Sequence, residues 1–430
     1  MKIGQHNACD WRVTDAGKSH GGSRNSMSVL VTDAHLRYSR VVLQSLGRKG
    51  VVTDASGEKD NPNVAFYSRY CRNRYVYPSP EQHEEAFVRT LLKRAADYDV
   101  LMPMHERTVV PISKHLKSFT SIVRVPIPEY QVLKLALDKA ETVRVAENAG
   151  IPTPRTYFIS DLNELDSLSR RLDYPVVVKL RAEMLTPPPR YVYAYSAEDL
   201  IRKYKNMHEI HPYPLIQEQI PGEGYGFFAI LTEDHEAAAI FCHRRIREFP
   251  ITGGPSTYCE SVYNRKLIAN GLKLLKEMKW YGIAMVEFRL DHRDDEFKLM
   301  ELNPRFWGSL PLAIAAGVNF PYLLYRMALG EEVRPQLTYA TGVKCRFLLF
   351  DLLALKQALN QSRDKTAYAK KFMSSFLDRR ASIGDFALND FGPTGYQIAH
   401  GMRRRSAGLV EVLANNVMRS PHLQKENIQM

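Results

Sequence analysis

Cysteine is scarce and poorly placed for cross-linking: the 430 residues contain five, Cys9, Cys71, Cys242, Cys259 and Cys345, an odd number with no CxxC pair. That argues against a disulfide framework and against a zinc knuckle, and it fits a reducing cytoplasm. No apolar run approaches the roughly 18 residues that a membrane span needs. The longest candidate, FLLFDLLAL at 347–355, is short and carries Asp351. No GxGxxG joins a strand to a helix, which leaves a dinucleotide site with little support. Residues 1–26 are polar, lack the apolar segment of a secretory signal, and read as a disordered leader. The chain has no internal repeat, and its one low-complexity spot is Pro187-Pro188-Pro189.

What is present is the balance of an ordinary globular protein, 45% apolar and 25% charged. The length suffices for two to four domains with substantial cores. The net charge is +12, and half of that excess lies in residues 331–430, which hold 15 basic and 9 acidic side chains. A local basic region of this kind points to phosphates, anionic lipid or acidic substrates. Nucleic acid is disfavoured, because the charges are not interleaved with aromatic stacking residues. Arg403, Arg404 and Arg405 read as a solvated helix face, with peripheral membrane contact left open.

From Met27 the pattern becomes structural. SVLVTDA (28–34) and GVVTDAS (50–56) read as strands around a helix, followed by a helical stretch at 81–97 and a short apolar run, DVLMPM (99–104). Asp138-Lys139-Ala140-Glu141 opens a helix that stops at Gly150. YPVVVKL (174–180) and PLIQEQI (214–220) are strand patterns, with helices expected at 197–206 and 265–279 and a mainly helical C-terminal hundred residues.

The chemistry concentrates in AMVEFRLDHRDDEFKLMELNPRFWG (284–308), two strands around a polar turn. Alternation puts Met285, Glu287 and Arg289 on one face of the first strand, and Phe297, Leu299, Glu301 and Asn303 on one face of the second. In a hairpin centred on residue 294, Glu287 and Glu301 stand opposite or nearly so. Opposed like charges destabilise a sheet unless a cation lies between them. Mg²⁺ suits two carboxylates with phosphates completing its shell, and Asn303 can add a neutral oxygen. The competing explanation is that one acid faces solvent or pairs with Arg289 or Lys298. Cations suited to phosphate stand at Lys139, Lys179 and the cluster His243-Arg244-Arg245-Ile246-Arg247, ahead of the glycine-bearing loop TGGPS (252–256).

Taken in order, DKxxT…AGIPTP (138–154), YPVVVKL, LIQEQIPG (215–222), HRRIREFPITGGPS (243–256), VEF (286–288) and ELNPRFWGS (301–309) resemble the ATP-grasp superfamily. The likeness covers about residues 28–335. It is strongest to the carboxylate–amine ligases and to the ATP-binding halves of biotin carboxylase and carbamoyl phosphate synthetase. The resemblance implies an α/β fold with an α+β ATP-grasp core: a pre-ATP-grasp domain at 27–125, the ATP-grasp domain at 126–335 and a mainly helical basic region at 336–430. It implies ATP phosphates on Lys139 and Lys179, adenine at the hinge Glu218, Gln219 and Ile220, and Mg²⁺, with Mn²⁺ the alternative, on Glu287, Glu301 and Asn303. Arg244 and Arg305 take the catalytic positions. The implied reaction activates a carboxylate as an acyl-phosphate for attack by an amine. The alternatives are an ATP-binding module that has lost catalysis and a basic surface-binding protein. One departure from the resemblance is RAEMLTPPPRYVY (181–193), which lacks the usual loop glycines, so Arg181 or Arg190 is expected to supply charge that backbone amides cannot.

Overall fold

The structure, a computed structural model, describes residues 27–182, 190–251, 253–361, 365–378, 381–387 and 389–403. The leader, the proline run and Arg404–Arg405 lie outside the described residues.

The first unit is a parallel sheet of β1 (Ser28–Val31), β2 (Val52–Glu58), β3 (Cys71–Tyr77) and β4 (Val100–Met102), in the order β3-β2-β1-β4. SVLV is buried at every position because alternate residues serve two cores: Leu30 packs on one side, Val29 and Val31 on the other. The helix Arg37–Gly47 makes the crossover from β1 to β2. The expected strands at the start of the chain and the helix Glu84–Ala95 are all present. Strand β3 escaped the sequence pattern because Arg72, Asn73 and Arg74 are exposed along this sheet edge.

A small antiparallel sheet follows, β5 (Thr156–Tyr157), β6 (Val176–Lys179), β7 (Tyr191–Ala194) and β8 (Leu215–Glu218), ordered β5-β8-β6-β7. Val176, Val178 and Leu180 bury against Leu200, Tyr204 and Met207 of the helix Ala197–Ile210. Period two therefore turns Val177 and Lys179 to the opposite face.

The large sheet runs β13-β12-β9-β10-β11-β14-β15, from β9 (Gly222–Leu231), β10 (Ala237–Glu248), β11 (Ser256–Ser261), β12 (Gly282–Asp291), β13 (Glu296–Asn303), β14 (Lys344–Arg346) and β15 (Ala381–Ile383). One face, with Phe227, Val286 and Phe288, packs on the helices Lys139–Asn148 and Arg265–Glu277. The other, with Phe228, Phe241 and Met285, joins the core shared with the first unit. The region after 336 is helical over Leu348–Gln361, Lys365–Ser374 and Gly392–Arg403, yet it also lends β14 and β15 to the sheet.

Asp351, the charge inside FLLFDLLAL, is fully buried and fastens this region to β10 and β11. Its carboxylate accepts from Arg247 Nε at 2.7 Å and Nη2 at 2.6 Å and from Thr257 Oγ1 at 2.9 Å, and Arg346 Nη1 stands 3.2 Å away. Removing it would strand two guanidinium groups in the interior. Asp351→Ala should therefore cost about 3–5 kcal/mol in denaturant unfolding, and a loss below about 1 kcal/mol would contradict this account.

Candidate functional site

Strands β12 and β13 form the expected hairpin, with Glu287 directly opposite Glu301. One detail of the expectation is corrected. The register slips between Glu287 and Phe288, so Met300 is an extra residue in a β-bulge, and alternation restarts there. Phe297 and Leu299 consequently point into the helix-packed core with Phe288, while Glu301 and Asn303 turn to the face that carries Glu287. The bulge lets one strand fill a core at one end and present polar groups at the other. Arg289 and Lys298, the competing partners for the acids, bond instead to Glu248 at 3.2 Å and to Asp294 at 2.6 Å.

The carboxylates are surrounded by donors from separate segments. Lys139 opens its helix, whose N-cap Asp138 accepts from Ala140 N at 2.8 Å, and its Nζ stands 3.5 Å from Glu301 Oε2. Arg181, one of the two suggested substitutes for loop amides, is bound to Asp138 at 2.6 Å, and Arg190 is exposed. Asn303 Nδ2 donates to both acids, at 3.2 Å to Glu287 and 3.1 Å to Glu301, while its Oδ1 accepts from Arg305 Nη2 at 3.0 Å. Burial pushes the Glu301 carboxyl up, but Lys139, the Asn303 amide, Lys179 and Arg305 outweigh it and hold the group down at about 2. Glu287 moves the other way, raised by burial and by the charge of Glu301 against the pull of Arg245. One member of the pair is firmly ionised, and the other needs countercharge.

Arg245, not Arg244, supplies that countercharge. Arg244 stands on the Tyr225 side of the sheet and is engaged by Glu260 at 2.9 Å and Glu223 at 3.6 Å. Arg245 is on the carboxylate face, donates to Glu287 Oε2 and bonds Gly254 O at 3.1 Å. It reaches over a whole strand, because β9 lies between β10 and β12 and has no side chain there: a Cβ on Gly224 would come within 2.8 Å of Arg245 Cδ, and one on Gly226 within 2.9 Å of His243 Nε2. The run AAAIFCHRRIRE (237–248) held the missing signal, since as a strand it places His243 and Arg245, two apart, on one face.

Glu218, Gln219 and Ile220, the expected adenine hinge, lie where the small sheet leads into β9. The Glu218 side chain is committed to Arg155 N at 2.8 Å and Arg293 Nη2 at 3.0 Å, and Ile220 is buried. Arg305 is tied to the first unit: its Nε donates to Glu106 Oε1 at 2.6 Å, and its Nη1 to Phe306 O at 3.1 Å. Glu106 opens the helix Glu106–Lys114, whose N-cap is His105, and sequence patterns offered no sign of its role.

Residues 214–347 match the family described as "ATP-grasp in the biosynthetic pathway with Ter operon". The solved biotin carboxylase of Campylobacter jejuni, in complex with a β,γ-ATP compound, superposes with a TM-score of 0.60, covering 74% of each chain at 14% identity. The chain has the ATP-grasp fold. Among curated proteins, the chain is similar to D-aspartate ligase of Enterococcus faecium (strain Aus0004), 22% identical over 249 residues that make up 54% of this chain and 59% of that protein. It is also similar to the carbamoyl phosphate synthase large chain of Hyperthermus butylicus, 22% identical over 66% of this chain and 28% of that one. The chain thus spans little more than half of the first relative and under a third of the second. No helix among the described residues is long and apolar enough to cross a membrane.

The link between the units has a pH signature. Burial raises the Glu106 carboxyl, but Arg305 and His105 bring it down to about 2, below its ordinary 4.5. A folded value below the unfolded one contributes stability that is fully present above about pH 4.5 and is lost as pH falls toward 2. The stability gap between the native chain and Glu106→Gln should therefore narrow steadily as pH drops from about 5 to 3 in urea titrations. A gap constant over that window would mean that Glu106 is not held by Arg305.

Proposed function

We propose that this chain is an ATP- and Mg²⁺-dependent ligase that phosphorylates a carboxylate with the γ-phosphate of ATP and transfers the acyl group to an amine, releasing ADP and phosphate. The observation that carries the reading is the opposed Glu287–Glu301 pair with Asn303 between them and Lys139 and Arg245 as countercharges. Among the described residues no cluster of three or more His, Cys, Asp or Glu is placed to hold a metal by itself. Two carboxylates with an amide are what a Mg²⁺ shared with substrate phosphates uses. The fit is also electrostatic, since a divalent ion would relieve the raised Glu287.

In this reading Glu287 and Glu301 hold Mg²⁺, with the Asn303 oxygen as a third donor once its amide turns over. When bound, the ion neutralises charge on the β- and γ-phosphates. Lys139 reaches the phosphates from a helix start and Lys179 from the open face of the small sheet. Gln219 and Ile220 offer backbone groups to adenine, Glu218 being occupied by arginines. Arg245, released from Glu287, faces the transferring phosphoryl group in the position the sequence assigned to Arg244. Arg305 keeps two of its five N–H donors beyond Glu106, Phe306 and Asn303, enough for an oxyanion. The intact set favours a working ligase over a module that has lost catalysis.

Incubation with ATP, Mg²⁺ and mixed carboxylic and amino acids should yield ADP and phosphate by chromatography. AMP with pyrophosphate would exclude γ-attack. Glu301→Gln should lower turnover at least about a hundredfold in a chain that still folds by circular dichroism, with a lower melting temperature because Lys139, Lys179 and Arg305 lose the carboxylate they hold ionised. Full activity in that variant would displace the site.

A further inference from the structure

Arg37 is a guanidinium without a bonded partner. Arg40, Arg245, Arg247 and Arg305 all donate to carbonyl or carboxylate oxygens. Arg37, at the start of the helix Arg37–Gly47, makes no hydrogen bond or ion pair among the described residues, and its Nη1 is shut from solvent with none. Burial lowers its pKa, and the acid that offsets this most, Asp385, has no oxygen within ion-pair distance and accepts from Leu349 N at 3.2 Å. What holds Arg37 is aromatic: its Cζ lies 4.3 Å from the Phe347 ring centre and 5.3 Å from that of Phe350. A guanidinium held beside two rings with no bonded acceptor has unmet N–H donors and little freedom left to lose on binding a ligand.

Strand register and the loop after Arg305 place Arg37 near the carboxylate pair. Cys259 stands directly opposite Arg245 across β10 and β11, and Cys345 opposite Cys259 across β11 and β14. Arg37 is within electrostatic reach of both cysteines. Glu287 and Cys259 are three strand spacings apart, about 14 Å, with Arg245 on the strand beside Cys259. On the side of the first unit, burial raises the Tyr38 hydroxyl while Arg305 and Arg37 both pull it down, so both guanidinium groups lie within electrostatic reach of that hydroxyl. Gly308, in the loop after Asn303-Pro304-Arg305, makes room for the group: a Cβ there would lie 2.3 Å from Arg37 Nη2.

We propose that Arg37 is a substrate subsite that binds a carboxylate other than the one being activated, so that one of the two substrates carries an additional acid group. The chemistry is a single carboxylate on a stacked guanidinium, and it has two sources: the far end of a dicarboxylic acid, or the carboxylate of an amino acid serving as the amine. The assignment rests on the ligase reading for the ligand's role and not for its binding.

The test uses the full chain without nucleotide, so failure of the ligase reading leaves it interpretable. Calorimetric titrations compare succinate with propionate for the acid source, and glycine with methylamine for the amine source. The extra carboxylate should improve affinity in one of these pairs by at least about tenfold, or 1.4 kcal/mol. Arg37→Met should abolish that gain with ATP affinity unchanged, and Arg37→Lys should keep part of it because the charge stays and the fork is lost. Should Arg37→Met fail to fold, Gly308→Ala displaces the guanidinium by one methyl group and should weaken the same probe. No gain in either pair for the native chain, or a gain that survives Arg37→Met or, where that variant fails, Gly308→Ala, overturns the proposal.

Discussion

The opposition of Glu287 and Glu301 is the constraint around which the rest is arranged. Two like charges about 5 Å apart repel by roughly 3 kcal/mol at an effective dielectric of about 20. An exposed ion pair returns at most about 1 kcal/mol. Surface charges therefore cannot hold the hairpin in this register. The countercharge has to be brought in, and it comes from four directions: Lys139 from a helix start, Lys179 from the small sheet, Arg245 from across β9, and Arg305 from the loop after β13. The Lys139 helix shares a core with the hairpin, Lys179 stands on a sheet with a core of its own, and Arg305 is anchored to the first unit through Glu106, so the site draws on all three sheets.

Two local devices make the convergence possible. The bulge at Met300 lets β13 contribute Phe297, Leu299 and Leu302 to one core while Glu301 and Asn303 face the other way. Without it, strict alternation would put Leu299 and Glu301 on one face and set an acid among apolar residues or leucine in the cleft. The second device is the bare stretch of β9. Phe227 and Phe228 fill both cores, and beyond them Gly226 and Gly224 leave an open floor over which Arg245 extends.

Much of this was legible in the residues. The crossover unit, the hairpin, the capped helix at Lys139 and the strand ending in Lys179 are carried by strong local periodicity. Glu287 opposite Glu301 follows from counting about a polar turn. What escaped depends on pairing. The bulge changes the face of two residues without changing composition, and the resemblance that points to Arg244 carries no strand register, which is what sets Arg244 with Glu260 and Arg245 with Glu287. Glu106 and Arg37 were out of reach for another reason: each meets its neighbours across roughly two to three hundred positions of chain, Glu106 at Arg305 and Arg37 at Phe347.

The contrast between the two acids carries the argument one step further. Glu301 is already compensated by Lys139, Asn303, Lys179 and Arg305, whereas Glu287 relies chiefly on Arg245. A cation entering between them would gain most at Glu287, and the group it would release is Arg245, which also touches Gly254 in the turn between β10 and β11. Tyr191 of the small sheet donates to the neighbouring Gly253 carbonyl at 2.8 Å. One exchange of partners at Glu287 thus bears on the turn that the small sheet contacts. In the proposed reaction, that connects arrival of the metal with the position of the strand next to Lys179.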